Sequence, residues 1–251
     1  VTLTATSGGD TNYYPASTSQ LITIGKTTPA LSITSANTLN VDGSLTATTI
    51  TSATLGRGGL ITYSLAAGSG SATVNSITGF ITGISIGTVT LTATSGGDTN
   101  YYPASTSQLI TIGKTTPALS ITSANTLNVD GSLTATTITS ATLGRGGLIT
   151  YSLAAGSGSA TVNSITGFIT GISIGTVTLT ATSGGDTNYY PASTSQLITI
   201  GKTTPALSIT SANTLNVDGS LTATTITSAT LGRGGLITYS LAAGSGSATV
   251  N

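Results

Sequence analysis

The sequence predicts an all-β chain built as a tandem array of small β-sandwiches. Three observations predict this class. The stretch VTLTATSGGDTNYYPASTSQLITIGKTTPALSIT opens at Val1 and restarts unchanged at Val89 and Val177, a period of 88 residues in which every comparable position is identical. That period is too long for one solenoid rung and suits one small domain. Only 5% of the residues are charged, and strand-favouring Thr, Ile and Val abound, a composition of strands rather than of helix or disorder. Apolar residues recur with period two between turn signals, and no helical period of useful length occurs.

The most loop-like junction is GKTTPA at 25–30, where Pro29 cannot donate to a central ladder and suits an edge or a linker. The expected organisation is the C-terminal part of a repeat at 1–25, complete repeats at 26–113 and 114–201, and the N-terminal part of a repeat at 202–251. Within 26–113, LSIT at 31–34 alternates and predicts a first strand. Asn40-Val41-Asp42-Gly43 predicts a turn, since Asp-Gly is a strong turn signal. Residues 44–50 alternate Leu45, Ala47 and Thr49 against polar partners, predicting one strand. LGRGG at 55–59 breaks the pattern. Residues 60–65 place Ile61, Tyr63 and Leu65 on one face, and 66–71 (AAGSGS) reads as a loop. Short strands follow at 72–74 and 79–84. Val89, Leu91 and Ala93 alternate with threonines, 96–100 (GGDTN) is a turn, and 108–112 closes the repeat with Ile110 and Ile112 inward. About seven short strands, with turn signals roughly every ten residues, form the pattern of an immunoglobulin-like sandwich. Leu45, Ile61, Tyr63, Val89, Leu91 and Ile110 are the expected core. Each buried aliphatic contributes roughly 1.5–3 kcal/mol.

Composition excludes several functions. With a formal net charge of zero, nothing neutralises phosphates or binds an anionic membrane surface, so neither nucleic acid nor charge-driven membrane binding is expected. No apolar run approaches the ~20 residues of a membrane helix, so no membrane insertion is expected in this segment. No signal-peptide pattern is present, and because the chain opens within a strand, any such signal is expected outside it. Cys and His are absent, which removes disulfides and the Ser-His-Asp and Cys-His arrangements. Lys26 lies in a linker without a strained nucleophile turn, which argues against a Ser-Lys pair and against an isopeptide cross-link. Asp42 and Asp98 sit in separate turns. GRGG at 56–59 and GSGS at 68–71 open no helix and read as loop glycines. The expectation is no enzyme, no catalytic residue and no cofactor. Calcium requires six to eight oxygens. Asp42, Asp98 and their copies Asp130 and Asp186 are its candidates, beside Asn40 or Asn100. The competing role for each is to cap its own turn.

ITYSL (61–65), SATVN (71–75), the spaced Gly79, Gly83 and Gly87, TVTLTA (88–93) and GDTNYYPAS (97–105) resemble the bacterial immunoglobulin-like (Big-type) tandem repeats of large surface adhesins and of invasin- or intimin-like proteins. The resemblance covers nearly the whole period. It implies an extracellular, cell-surface location, a stalk-like structural role, an inward Tyr101 and an outward Phe80. Period-two alternation then sends Tyr102 outward. Phe80, Phe168, Tyr14, Tyr102 and Tyr190 therefore form recurring outward rings, candidates for contacts between repeats or chains, or else cover for their own repeat.

Perfect identity adds an expectation about partners. Neighbouring domains of identical sequence exchange strands readily, and edges without charge are poorly protected against pairing. Other copies of the same chain are the expected partner, as a homopolymer or lateral bundle. A host or surface ligand would be engaged through parts outside this segment. Termini falling inside a repeat are expected of a window on a longer polymer. The function expected is a structural repeat segment of an extracellular fibre or adhesin stalk, self-associating into a filament or sheath. The alternative is a multivalent adhesive module for a glycan, ice or protein surface, with Thr90, Thr92 and Thr94 on the polar face and repetition supplying avidity.

Overall fold

The computed structural model describes residues 1–54, 58–142, 146–230, 234–242 and 244–250. The expected GRGG loop falls partly on Gly56 and Arg57, outside the described residues. The described residues contain strands and turns and no helix, so the all-β, immunoglobulin-like class expected from the sequence is the class observed. Accordingly, no helix among them is long and apolar enough to cross a membrane, which says nothing of a β-barrel.

The chain divides into two compact units. The first holds Val1–Thr116 with Ala141–Gly146 and Gly185–Tyr190, and the second holds Pro117–Ser140, Gly147–Gly184 and Pro191–Asn251.

Unit 1 opens on a two-stranded hairpin, β1 (Thr2–Ser7) and β2 (Ala16–Leu21). Residues 26–113 then run through nine strands. These are β3 (Leu31–Ile33), β4 (Thr38–Asn40), β5 (Ser44–Thr46), β6 (Thr49–Thr51), β7 (Ile61–Ala67), β8 (Ser71–Val74), β9 (Phe80–Ser85), β10 (Gly87–Ser95) and β11 (Ala104–Gly113). β10 and β11 pair antiparallel from Gly87↔Ile112 to Ser95↔Ala104. β7 flanks β10 antiparallel and β4 flanks β11 in parallel, giving the four-stranded sheet β4-β11-β10-β7. Opposite it lie the sheet β5-β9-β8 and the pair β3–β6. The two layers bury one core, with Leu39, Val89, Leu91, Ile110 and Ile112 from the four-stranded sheet meeting Ile81 from β9.

The sequence and the structure differ in three stretches of the chain and in the burial of three expected core residues. Residues 44–50 do not form one strand. β5 pairs with β9 and β6 pairs with β3, so the chain changes sheets at Ala47 and Thr48. Ala47 is buried there, its N–H donating to the Gly79 carbonyl, while Thr34 N–H donates to Thr48 O. Alternation continues through such a crossing and therefore hides it. Residues 38–40, with only three residues in the ladder, were too short to read as a strand. The loop expected at 66–71 shrinks to Gly68–Gly70, because β7 continues through Ala67 opposite Val89. Val89, Leu91 and Ile110 are fully buried, whereas Leu45, Ile61 and Tyr63 are half-buried. Leu45 lies on a three-residue edge strand, and Tyr63 keeps its hydroxyl 3.4 Å from Thr49 Oγ1 at the rim of the core.

Unit 2 repeats the same build. Its strands are β12 (Leu119–Ile121), β13 (Thr126–Asn128), β14 (Ser132–Thr134), β15 (Thr137–Thr139), β16 (Ile149–Ala155), β17 (Ser159–Val162), β18 (Phe168–Ser173), β19 (Gly175–Ser183) and β20 (Ala192–Gly201), followed by β21 (Leu207–Ile209) and β22 (Thr225–Thr227). The sheets are β13-β20-β19-β16, β14-β18-β17, β12-β15 and β21-β22. Leu127, Ile169, Val177, Leu179, Ile198 and Ile200 form the core.

The turn between β8 and β9 shows why glycine recurs at one position. Asn75 Oδ1 accepts the N–H groups of Ile77 and Thr78, and Gly79 follows with φ of +69°. A Cβ on Gly79 would stand 3.0 Å from both Ala47 Cβ and the Tyr63 ring. Gly79→Ala is expected to destabilise the repeat by roughly 2 kcal/mol, combining left-handed strain with crowding. Gly96→Ala, with nothing within 4 Å, is the matched control and should leave thermal denaturation nearly unchanged.

Candidate functional site

The GGDTNYYP turns at 96–103 and 184–191 are built the same way. Asp98 Oδ1 accepts the N–H groups of Asn100 (2.7 Å) and Tyr101 (2.9 Å), and Oδ2 accepts Gly58 N–H at 2.7 Å. Asp186 does the same with Asn188, Tyr189 and Gly146. The side chain thus caps its own turn and ties down a second loop, the geometry of a turn cap with both oxygens aimed at N–H donors. Among the described residues, no three acidic side chains gather into a metal-binding group. The linker before each repeat pairs with this turn. Thr27 bridges Tyr101, Tyr102 N–H donates to Thr27 O, and Lys26 Nζ donates to Asp98 O at 2.8 Å.

In unit 1 the turn of the second repeat is seated on the first. Tyr189 and Ala141 belong to the same buried cluster as Leu39, Val41, Ile81 and Ile112. The Tyr189 hydroxyl donates to the Asp42 carboxylate and accepts Thr142 N–H at 3.2 Å. Thr142 Oγ1 donates to the other Asp42 oxygen at 2.6 Å. Asn188 Oδ1 accepts Ile86 N–H at 3.0 Å. Apolar burial with its polar rim satisfied is the combination that makes such a seat stable.

Asp42 is aimed by its own turn. Its φ is 60°, a left-handed conformation that aspartate tolerates better than most residues. Its N–H donates to Gly83 O, Val41 N–H donates to Gly113 O, and Gly43 N–H donates to Asn40 O. The same positive φ recurs at Asp130 and Asp218. The turn at Asp42 and the tyrosine turn were each legible in the sequence, but their pairing was not, because 147 residues separate Asp42 from Tyr189. The only trace was a tyrosine pair beside a turn, repeated in step with an Asp-Gly turn.

The same tyrosine has three environments. Tyr13 is 75% exposed, Tyr101 is half-buried, and Tyr189 is 0% exposed. The inward role expected of Tyr101 is thus met fully only where Asp42 and its neighbours cover the ring. Thr54 N–H lies 3.4 Å from the Tyr101 hydroxyl, the counterpart of the Thr142–Tyr189 bond.

The five rings expected to face outward are exposed, Phe80 and Phe168 by about half and Tyr14 almost entirely. Tyr102 and Tyr190 are each partly covered by a lysine of their own linker. Lys26 Nζ lies 5.8 Å from the Tyr102 ring centroid and Lys114 Nζ 5.6 Å from that of Tyr190, within the range of cation–π attraction.

No protein-family model matches the chain, and no curated protein matches it. Among solved structures, the chain is similar to a C-terminal 282-residue fragment of intimin in complex with the intimin-binding domain of the translocated intimin receptor. The identity is 14% and the TM-score 0.28, over 72% of this chain and 66% of that one. It is also similar to fibronectin(III)-like modules of Clostridium thermocellum CbhA, at 10% identity and a TM-score of 0.26, over 69% of this chain and 95% of that one.

Two predictions arise from the seat and its turn. The Asp186 pKa is held below the ordinary 3.8, chiefly by the Gly146 N–H, with the Asn188 and Tyr189 N–H groups and the Lys114 charge adding to it against a desolvation cost. A depressed carboxylate stabilises the fold above its unfolded pKa, and this contribution is lost as pH falls through the folded value. Melting temperature should therefore fall on acidification below about pH 4, and Asp186→Asn should flatten that limb while lowering the plateau. In the seat itself, Tyr189→Phe and Asp42→Asn should each cost about 1–2 kcal/mol. The double variant should cost less than their sum by at least about 0.5 kcal/mol. Amide exchange at Thr142 and Ile86, whose N–H groups donate to Tyr189 and Asn188, reports the opening, and strict additivity would mean that the two groups act independently.

Proposed function

We propose that this chain is a structural segment of a bacterial extracellular fibre or adhesin stalk, at the cell surface, with repeat boundaries at 25/26, 113/114 and 201/202. The observation that carries the reading is the burial of Tyr189 in the core of the preceding repeat. In an array it makes each repeat part of its neighbour's core, so stability becomes a sum of repeat and nearest-neighbour terms. The residue inventory supports a structural rather than a catalytic role, since the Asp98 and Asp186 side chains hold backbone in place.

Self-association of chains into a filament or sheath is part of the proposal. Its support is the row of outward rings, repeated once per 88 residues. Contacts that are individually small add when many are held in register.

A second reading has its own observation. On the outer face of the four-stranded sheet, Thr62, Thr94 and Ser105 stand in one cross-strand row, and Ser64, Thr92 and Ser107 stand in the next. Thr92 Oγ1 and Ser107 Oγ lie 2.9 Å apart. This uncharged hydroxyl surface would suit a weak, multivalent contact with a glycan, ice or protein surface. Binding by a single repeat at low concentration would favour it over the stalk.

Replacing Phe80, Phe168, Tyr14, Tyr102 and Tyr190 by Ser should leave the circular dichroism spectrum of the chain intact and reduce bundling, measured by light scattering or negative-stain images. Undiminished bundling would remove the rings from the assembly and leave the stalk role alone.

A further inference from the structure

The last strand of each repeat lies parallel to one of its early strands. Thr38–Asn40 of β4 run beside Thr111–Gly113 of β11, with Thr111 N–H donating to Asn37 O and Val41 N–H to Gly113 O, each at 2.9 Å. Thr126–Asn128 of β13 and Thr199–Gly201 of β20 repeat this pairing. The chain enters a repeat on the side of β4 and leaves it from β11. Tension along the chain therefore draws the two strands in opposite directions along their axes. The bonds of a parallel pair are evenly spaced, so such tension shears them together and does not open them one by one.

The turn seated on the first repeat changes how that tension arrives. Past β11, Lys114 Nζ donates to Asp186 O at 2.9 Å, Thr115 N–H to Asn188 O at 3.3 Å, and Tyr190 N–H to Thr115 O at 2.9 Å. Past β4, the Asp42 carboxylate accepts the Tyr189 and Thr142 hydroxyls. One turn thus grips the continuations of both strands. On the entry side, Thr27 is tied to the turn that leads into β11, its N–H donating to Asn100 O at 3.3 Å and its carbonyl accepting Tyr102 N–H at 2.9 Å.

We infer that this tyrosine turn is a load-sharing coupling, which passes axial tension into β4 of the preceding repeat as well as into β11. While Tyr189 is seated, one path runs from the entry linker along β4 to Asp42 and Tyr189. The other runs from the Thr27–Tyr101 bridge along β11 to Lys114 and Thr115. Each path follows a strand's own backbone, so β4 and β11 move together and their pairing is spared shear. Once Tyr189 leaves Asp42, the whole load enters β11 and must cross to β4 through the parallel pair. The turn of one repeat therefore protects the repeat before it, and the identical periods offer the same protection at every step. This deepens the stalk reading and rests on it, since only a chain held at both ends is loaded in this way.

Constant-force pulling of the full chain tests the inference. The chain has no cysteine, so Thr28→Cys and Thr204→Cys give defined anchors. Load then leaves the repeat at 26–113 through its linker and the seated turn. It leaves the repeat at 114–201 through the linker, with no tyrosine turn in the path. The two repeats are identical in sequence, so each is the other's control. Two unfolding steps of equal length are expected. The repeat at 26–113 should outlast the other roughly tenfold or more, since hydrogen bonds to a charged group must break first. Asp42→Gly keeps the left-handed turn, which glycine adopts freely, and removes both accepting oxygens. It should bring the two lifetimes together, whereas Asp130→Gly should leave them apart. Anchors at Asn37→Cys and Ser64→Cys pull across the β4-β11-β10-β7 sheet, where the seat is out of the load path, and Asp42→Gly should shorten that lifetime much less. Equal lifetimes of the two repeats before any change at Asp42, or equal shortening in both pulling directions, overturns the inference and leaves the stalk reading in place. Repeats that open under the smallest axial load would remove both.

Discussion

Each sandwich depends on the antiparallel ladder between β10 and β11. It spans nine residue pairs, supplies Val89, Leu91, Ile110 and Ile112 to the core, and offers one edge to β7 and the other to β4. The remaining strands of the repeat are shorter, and β3, β4, β5 and β6 have three residues each. A three-residue strand holds its place only against a longer neighbour, since so short a ladder cannot offset its own ordering entropy. With no disulfide available, the long hairpin serves as the frame.

The second dependence is between repeats. Asp42 and Ile86 of one repeat receive the turn carrying Asn188 and Tyr189 of the next. The tyrosine adds apolar area to the preceding core, and the aspartate and threonine satisfy its hydroxyl. Because the sequence is identical in each period, a contact made once is available at every step. A function based on length and mechanical continuity needs such repetition, whereas a single binding site does not.

Much of this was legible in the residues, for physical reasons that can be named. The alternation of Val89, Leu91 and Ala93 with threonines predicted a strand buried on one face, because side chains in a ladder alternate. The Asp98 turn was legible because Asp followed by Asn and Tyr can cap its own backbone. The outward Phe80 was implied by the family resemblance, and alternation from an inward Tyr101 then placed Tyr102 outward. Less was legible where alternation is silent. Ser44–Thr46 and Thr49–Thr51 continue one pattern while pairing with different sheets. Leu45 and Tyr63 alternate as core residues yet lie at its rim.

The sequence by itself determined the all-β class, the 88-residue period, the faces of the long strands and the lack of nucleophile–histidine chemistry. These follow from local periodicity and composition, which need no knowledge of distant residues. Only the tertiary structure decided which strands share a sheet, where the chain crosses between layers, and that Asp42 meets Tyr189. Those outcomes depend on contacts across tens to hundreds of residues, which are chosen by the burial of whole faces together. Identical tyrosines at 13, 101 and 189 make the distinction plain. The sequence treats them as equal, and the packing around each of them sets whether the ring is bare or buried.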